Sequence, residues 1–311
     1  MEIIAGVDEA GRGPLAGPVV AAAVILGDVK IEGLRDSKKL THKKRKLLFE
    51  EIQSKTDSIG VGIINEAEID RLNILAATHK AMQMALGRLK QKPSLALIDG
   101  YQLPNQIIKN EGIIKGDEKV KEIMAASIIA KVTRDRIMQN YDIIFPEFEF
   151  AKHKGYGTKS HIEALVKFKA TPIHRKSFKP VRQNLPSIKW LTENKRIGKV
   201  GEQLAACRLM SDGHRIVGMN ENCHPYGEID IISEKNGVLI FNEVKTFAKE
   251  QIGSPELKID MPKLKKLEKA IYQYLDTNNI QKDIRLDGIA VTLGRKYRLK
   301  KFEGIELNFT N

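Results

Sequence analysis

Four acidic residues in three separate segments have the types and placement that metal-assisted hydrolysis requires. Asp8 and Glu9 directly follow an apolar run, Asp99 ends a second apolar run, and Asp117 stands just before a helical segment. In open α/β sheets, ligand sites gather at the carboxyl ends of strands, so neighbouring strands would bring these acids together. Converging carboxylates raise one another's pKa unless a cation compensates. Such oxygen ligands favour Mg²⁺ or Mn²⁺, and two ions about 4 Å apart would activate a water and stabilise the leaving oxygen of a phosphodiester.

Each of these acids also has a purely structural interpretation. Asp117 at a helix start is a suitable N-cap, and Asp99 followed by Gly100 suits an ordinary turn. Two adjacent acids after an apolar strand, Asp8 and Glu9, have little structural use. The residues alone therefore predict a metal-dependent hydrolase, with a structural role left open for Asp99 and Asp117.

The chain of 311 residues is long enough for two domains. A hydrophobic content of 42% and a charged content of 29% predict a globular chain rather than a disordered one. No run approaches the roughly 20 apolar residues of a membrane span. The two cysteines are distant in sequence, and the N-terminus lacks the basic and apolar regions of a secretory signal. We therefore expect a reduced, cytoplasmic protein.

The net charge of +13 is concentrated in the N-terminal part. Residues 1–182 hold 31 basic and 22 acidic residues, a net charge of +9. Such an excess favours a polyanionic partner such as nucleic acid, through contacts with phosphates. A lysine-rich proteome would produce the same bias, so the charge leaves both explanations open.

The apolar pattern of the first part predicts a sheet with helical crossovers. Four apolar runs have the length of strands: 3–7, 19–26, 58–64 and 95–98. Helical periodicity covers 41–56, two segments within 66–92, 120–141 and 160–169. The first two strands suit an antiparallel pair. The long helical crossover before the 95–98 strand implies that this strand and the 58–64 strand pair in parallel.

A second pattern begins near residue 195, after a proline-containing stretch at 171–187 that we interpret as a terminal extension and linker. Its predicted elements are a helix (198–211), three strands (215–220, 228–233 and 238–245), a second helix (261–275) and a fourth strand (286–293). A hairpin through Gly294 and Arg295 is predicted to follow. The predicted domains are therefore 1–182 and 196–311, joined by a linker at 183–195.

Six ordered motifs closely resemble those of the ribonuclease HII family. They are VDEAGRGPLAGPV (7–19), DSKKL (36–40), IDG (98–100), KGD (115–117), AASIIAKVTRD (125–135) and HKGYGT (153–158). The resemblance covers residues 1–182. It implies an α/β fold of the RNase H type, with a mixed five-stranded sheet and flanking helices.

The resemblance also implies roles for the four acids and for a substrate-reading loop. Carried over, Asp8, Glu9, Asp99 and Asp117 would bind the metal and carry catalysis. The tripeptide Gly11, Arg12 and Gly13 would read the ribonucleotide at an RNA–DNA junction. Glycines let backbone amides approach the 2′-OH and the phosphate, and the 2′-OH is what distinguishes RNA from DNA.

Three further substrate contacts follow from the same resemblance. Tyr156, with a glycine on each side, would stack on the sugar after the ribonucleotide. Lys38 and Lys39 would face phosphates, although a solvated loop is an equal alternative for either. The family usually shows small residues and serine after Gly116 and Asp117, whereas this chain has EKVKE at 118–122. That difference concerns substrate preference and removes no expected acid.

The activity implied is an endoribonuclease of type H that uses Mg²⁺ or Mn²⁺ in two-metal-ion catalysis. Its partners would be RNA–DNA hybrids and duplex DNA with embedded ribonucleotides, cut on the 5′ side of the ribonucleotide. Such an enzyme would act in ribonucleotide excision repair and DNA replication.

The second part has an acidic constellation of its own. Asp230 lies in GEID (227–230), and Glu243 and Lys245 lie in FNEVK (241–245). Residues two apart on a strand share one face, so Glu243 and Lys245 would point the same way. An acid with an acid-x-lysine pair on the next strand can bind one Mg²⁺ and orient a water. A partly buried ion pair at a strand end is the structural alternative.

Residues 195–300 resemble the YraN-like family, which is related to restriction-endonuclease folds. The resemblance rests on Gly201 and Glu202, on the two strands above and on GSP at 253–255. It implies a smaller α/β domain with Glu202, Asp230, Glu243 and Lys245 as a second nuclease site, acting on branched or other DNA. The alternative is a non-catalytic module that binds nucleic acid or docks a protein.

Overall fold

The computed structural model describes residues 2–34, 37, 40–247, 260–294 and 297–306. The chain folds into two units. The first comprises Met1–Gln139 and Phe150–Leu185, and the second comprises Asn140–Glu149 and Pro186–Asn311. The division into domains at 182 and 196 stays a prediction.

The sheet of the first unit contains one strand more than the apolar runs indicate. Its strands are β1 (Ile4–Ala10), β2 (Val19–Val24), β3 (Ile59–Ile64), β4 (Leu95–Asp99) and β5 (Asn110–Ile113). The order is β3-β2-β1-β4-β5. The pairs β1–β2 and β2–β3 are antiparallel, and β1–β4 and β4–β5 are parallel. The predicted mixed five-stranded sheet is confirmed. The short strand β5 was missed because its four residues, NEGI, are half polar.

The expected direct pairing of β3 with β4 is wrong. Both strands run in the same direction, as a helical crossover requires, but β2 and β1 lie between them. The chain crosses over to the far side of β1, and β4 pairs with β1 in parallel. This crossover places the end of β4, and therefore Asp99, beside β1.

Helices cover both faces of this sheet. The helices are α1 (His42–Lys55), α2 (Glu66–Leu72), α3 (Ile74–Gly87), α4 (Lys121–Ile144), α5 (Phe150–His153), α6 (Lys159–Phe168) and α7 (Lys179–Arg182). Alanines of α3 pack on one face, against small residues of β1 and β2. Apolar residues of α1 and α4 pack on the other face. The alternating strand residues thus form two cores.

Glycine at position 6 sets the distance between β1 and α4. A Cβ atom on Gly6 would lie 2.1 Å from the backbone carbon of Glu122 and 2.3 Å from the amide nitrogen of Ile123. The start of α4 therefore packs directly on the backbone of β1. Two residues further along β1 is Asp8, so this contact also fixes how deep that carboxylate lies against α4.

The second unit contains another mixed five-stranded sheet. Its strands are β6 (Arg215–Cys223), β7 (Gly227–Lys235), β8 (Val238–Phe247), β9 (Ile284–Thr292) and β10 (Arg298–Phe302), in the order β10-β9-β8-β7-β6. Its helices are α8 (Ile188–Glu193), α9 (Ile197–Ser211) and α10 (Met261–Thr277), and α8 falls within the predicted linker.

Strands β6, β7 and β8 form an antiparallel meander, and β8 and β9 pair in parallel. The antiparallel pairing of β9 with β10 confirms the predicted hairpin, although Arg295 lies outside the described residues. None of the helices in the described part combines the length and the apolar character needed to cross a bilayer.

The Gly6 contact gives the first prediction. The variant Gly6→Ala should lose about 2 to 3 kcal/mol of stability, because the added methyl overpacks a backbone contact. Gly87 is the matched control: it ends α3, and a Cβ atom there meets nothing within 4 Å. Gly87→Ala should leave stability unchanged or raise it slightly. Urea unfolding of both variants measures the difference, and equal stabilities would contradict the packing described.

Candidate active site

Three carboxylates converge at one edge of the first sheet. Carboxylate oxygens of Asp8, Asp99 and Asp117 all lie within 4.8 Å of one another. Asp8 lies in β1, Asp99 ends β4, and Asp117 lies in a 3₁₀ turn, Gly116–Glu118, that precedes α4. The Oδ1 atom of Asp99 accepts the amide of Gly116 at 2.7 Å. That hydrogen bond ties the turn carrying Asp117 to the end of β4.

Glu9 lies apart from this group of three. Strand β1 continues to Ala10, beyond the predicted end at residue 7, so Asp8 and Glu9 are both strand residues and point to opposite faces. The Oε1 atom of Glu9 lies 3.6 Å from Nη1 of Arg12. Glu9 still raises the pKa of Asp8 through their like charges. The structure therefore brings together three of the four predicted acids and places the fourth next to them.

Burial and repulsion both act on Asp8. Its side chain is buried, and its pKa lies well above 3.8, first because burial disfavours the charge and then because Glu9 and Asp99 repel it. A hydrogen bond from Ser127 of α4 partly opposes this rise. Ser127 is in turn 2.9 Å from the hydroxyl of Ser37. Although Ser127 stands in one of the six motifs, sequence reasoning gave it no role.

The donor set fits a hard divalent cation. All three ligands are carboxylates, and their mutual repulsion is the condition that a bound cation relieves. Among the described residues, this is the one group of three or more histidine, cysteine or acidic side chains close enough to share an ion.

The Gly-Arg-Gly loop comprises residues 11–18, and the two glycines of its opening tripeptide have different environments. Gly11 is buried at a φ of +96°, and a Cβ atom on it would meet Nε of Arg134 at 2.0 Å. Gly13 is exposed, and the nearest atom to a Cβ there is Cε1 of Tyr156, at 3.7 Å. Open space for a substrate therefore lies at Gly13 and Tyr156. Gly11 is required by its backbone conformation and by its packing against Arg134.

The side chains predicted to contact substrate remain accessible. The side chain of Arg12 is 52% exposed, and Tyr156 is 45% exposed. Because this loop follows β1 directly, three positions separate Asp8 from Gly11. Lys38 and Lys39 lie outside the described residues.

A row of buried histidines supports the loop that carries Tyr156. Nδ1 of His161 lies 2.8 Å from the carbonyl oxygen of Tyr156, and its Nε2 lies 2.9 Å from Nε2 of His174. Nδ1 of His174 accepts the amide of Thr171 at 3.0 Å. A carbonyl only accepts, so His161 donates from Nδ1. His174 must then donate from Nε2, which makes both rings neutral.

The segment interpreted as an extension is part of the first unit's interior. His174 and Arg175 are 1% and 0% exposed, and His174 forms a bridge with Ala16 of the Gly-Arg-Gly loop. Sequence reasoning missed this because the segment has no apolar periodicity. Its anchors are polar side chains that satisfy backbone groups instead.

Close packing brings Glu202 of the second unit towards β8. A Cβ atom on Gly201 would lie 1.8 Å from Oγ1 of Thr246, so α9 packs directly on β8. Oε2 of Glu202 accepts a hydrogen bond from Nδ2 of Asn220 at 2.9 Å. Asp230 accepts the amide of Val244 at 2.6 Å.

The carboxylates of the second unit influence one another. The pKa of Asp230 is raised to about 7, first by burial and then by Glu243 and Glu202. Glu243 is buried and forms an ion pair with Lys263 of α10, a residue that sequence reasoning missed. Lys245 is exposed. The predicted structural alternative, an ion pair, is therefore realised for Glu243, with Lys263 as the cation. The GSP motif at 253–255 lies outside the described residues.

The sheet of the first unit and its acid cluster define a metal-dependent nuclease of the ribonuclease H class. Residues 5–181 match the family model of ribonuclease HII, and the chain belongs to that family. Residues 201–291 match the model of the uncharacterised protein family UPF0102, which confirms the YraN-like resemblance.

Similar proteins align with the first unit. The chain is 57% identical over 178 residues to a ribonuclease HII of Acetivibrio thermocellus, covering 57% of this chain and 70% of that one. It is 54% identical over 182 residues to a ribonuclease HII of Coxiella burnetii, covering 58% and 90%. Among solved structures, the ribonuclease H2 from Pyrococcus horikoshii OT3 is 30% identical with a TM-score of 0.49, covering 58% of this chain and 95% of that one.

The buried histidines predict a pH dependence of stability. Burial lowers the pKa of His161 from 6.5 to about 4. Between pH 6.5 and about pH 4, the unfolded chain binds a proton at His161 that the folded protein does not bind. The free energy of unfolding therefore falls as the pH falls. The His161 contribution to this fall reaches about 3 kcal/mol at pH 4.

Urea unfolding at a series of pH values measures the slope of the free energy of unfolding against pH. Hydrogen exchange in α6 measures the same dependence locally. A His161→Asn/His174→Asn double variant should show a shallower slope than the wild type. The exposed His42 serves as the control, and His42→Asn should keep the wild-type slope. An unchanged slope in the double variant would contradict the assignment of neutral buried rings.

Proposed function

We propose that this protein hydrolyses the RNA strand of RNA–DNA hybrids and incises duplex DNA on the 5′ side of an embedded ribonucleotide. The observation that carries the proposal is the Asp8, Asp99 and Asp117 cluster, which the loop directly after β1 connects to the open face at Gly13 and Tyr156. The cluster supplies the means of hydrolysis, and the open face supplies room for a ribose. Membership of the ribonuclease HII family supports the same substrate class.

In this proposal Asp8, Glu9, Asp99 and Asp117 would hold Mg²⁺ or Mn²⁺. The bound metal would lower the pKa of a water and neutralise charge on the phosphate. Hydrolysis would form a bond between a water oxygen and phosphorus and break the bond between phosphorus and the preceding 3′ oxygen, which would take up a proton. The products are a 3′-hydroxyl on the upstream strand and a 5′-phosphate on the ribonucleotide.

The remaining groups select and orient the substrate. The backbone at Gly13 approaches the 2′-OH, and the exposed guanidinium of Arg12 binds a phosphate. The ring of Tyr156 stacks on the next sugar and fixes which phosphate faces the acids. Lys38 and Lys39 add phosphate contacts. A role in ribonucleotide excision repair and replication, in the cytoplasm, stays a prediction that follows from this activity.

The test uses a DNA duplex with one embedded ribonucleotide and an otherwise identical all-DNA duplex. With Mg²⁺ or Mn²⁺, the full-length protein should cut only the first, leaving a 3′-hydroxyl and a 5′-phosphate. Asp117→Asn should lower kcat by about 100-fold or more, because a metal ligand is lost. Asp28→Asn, at an exposed aspartate, is the matched control and should keep wild-type activity. Intact ribonucleotide substrate in the presence of metal would refute the proposal.

A second candidate function rests on the second unit. Asp230 is half-buried, and its pKa is raised first by burial and then by two other carboxylates, Glu243 of β8 and Glu202 of α9. The ion pair with Lys263 accounts for Glu243 but gives Asp230 no cation partner. We propose that Glu202, Asp230, Glu243 and Lys245 form a second nuclease site that acts on branched DNA, in which Asp230 and Glu243 would hold a metal ion. A module that binds nucleic acid or protein without catalysis is the alternative.

A double variant of the full-length protein distinguishes the two. Asp230→Ala/Lys245→Ala should lower cleavage of a four-way DNA junction by about tenfold or more and leave ribonucleotide incision unchanged. The control pair Lys265→Ala/Asp276→Ala, at exposed positions of α10, makes the same change of charge. Equal junction cleavage by the two double variants would favour the non-catalytic alternative.

A further inference from the structure

Two fully buried arginines lie beneath the Gly-Arg-Gly loop. Arg134 of α4 is 1% exposed, and Arg175, which follows the bridge to Ala16, is 0% exposed. Burial lowers the pKa of both guanidiniums, that of Arg175 to about 9. Arginine nevertheless keeps its charge in proteins at neutral pH. Burying a charge is unfavourable unless its donors are satisfied. The hydrogen-bond partners of the two guanidiniums therefore indicate their role.

Arg175 binds the loop through four backbone carbonyls. Its Nε donates to Gly17 at 2.9 Å, its Nη1 to Arg12 at 2.8 Å, and its Nη2 to Gly11 at 2.6 Å and to Pro18 at 3.2 Å. A carbonyl and the next amide in the chain share one rigid peptide plane. Fixing the carbonyls of Gly11 and Arg12 therefore fixes the direction of the amides of Arg12 and Gly13.

Arg134 joins the same loop to the one that carries Tyr156. Its Nε and Nη2 donate to Pro18 at 2.9 Å and Ala16 at 3.1 Å, and its Nη1 donates to Lys154 at 2.9 Å. Its guanidinium carbon lies 5.9 Å from the centre of the Tyr156 ring. One side chain thus sets the spacing between the two sides of the open face at Gly13 and Tyr156.

Neither guanidinium contacts a carboxylate among the described residues. The buried carboxyl of Glu66 influences the pKa of both, but it forms no ion pair with either. All the hydrogen bonds of both side chains go to backbone carbonyls of the two substrate loops. The cost of burying both charges is therefore met by carbonyls whose position depends on the conformation of these two loops.

We propose that Arg134 and Arg175 are positioning residues that hold the Gly-Arg-Gly loop in its ribose-reading conformation and at a fixed distance from Tyr156. The proposal rests on the proposed function of that loop. Lysine keeps the charge but lacks the planar fork of five donors. Arg175→Lys should therefore disturb the loop without removing a charge, and Arg134→Lys should disturb both loops.

Two measurements on the full-length protein test the proposal. The first is hydrogen–deuterium exchange of residues 11–18, where the amide of Leu15 donates to Gly155 and that of Gly17 to Ile173. The second is the pair KM and kcat on a duplex with one ribonucleotide. Arg175→Lys should speed exchange in this loop and raise KM about tenfold or more. Its Mn²⁺ affinity should stay within about twofold of wild type, since no acid is touched.

Ile52→Ala is the control for general loss of stability, because Ile52 is a fully buried residue of α1 in the core facing α4. It should speed exchange throughout the first unit and leave KM unchanged. Wild-type KM and loop exchange in Arg175→Lys, or changes that match those of Ile52→Ala, would overturn the proposal. Failure of the wild type to cut the ribonucleotide would refute the proposed function instead, and the exchange comparison would still decide the positioning role.

Discussion

Mutual repulsion among Asp8, Asp99 and Asp117 is the constraint on which the first unit is built. Carboxylate oxygens within 4.8 Å of one another oppose folding unless other contacts hold them there. The parallel pairing of β1 with β4 brings two of the acids together, and the bond from the Gly116 amide to Asp99 brings the third. Direct packing of α4 on β1 at Gly6 fixes the depth of Asp8. The repelling acids thus lie where β1, β4 and α4 pack directly on one another.

Much of this site could be predicted from the sequence, because Asp8, Glu9 and Asp99 end or follow apolar runs and Asp117 stands just before a helical segment. The separation of Glu9 from the other three could not, since it depends on β1 continuing to Ala10 instead of ending at residue 7. The helical crossover predicted that β3 and β4 run in the same direction, but not that β2 and β1 lie between them. A helical connection fixes that two strands are parallel, but the choice of neighbour is made by long-range packing. The half-polar strand β5 carried no apolar signal at all.

The supporting residues were harder to predict than the acids. Arg134 stands in a charged stretch of α4, KVTRDR at 131–136, so the local pattern does not distinguish this buried charge from its exposed neighbours. Arg175 and His174 stand in a segment without periodicity, and their partners are backbone carbonyls and rings far away in the chain. In the second unit, Asp230 and Glu243 could be recognised by their place on apolar strands. Lys263 could not, because its role depends on how α10 packs.

The two glycines of the Gly-Arg-Gly tripeptide differ in how freely they could be substituted. Gly11 faces the interior, where its φ and the guanidinium of Arg134 exclude any side chain, so it changes only if the fold changes with it. Gly13 faces the open side, and a methyl group there would touch only the edge of Tyr156. Under the proposed function, foldability and selectivity therefore lie on different glycines of one motif. Substitution of the second would then alter the sugars that the protein accepts while leaving a folded molecule for selection to act on.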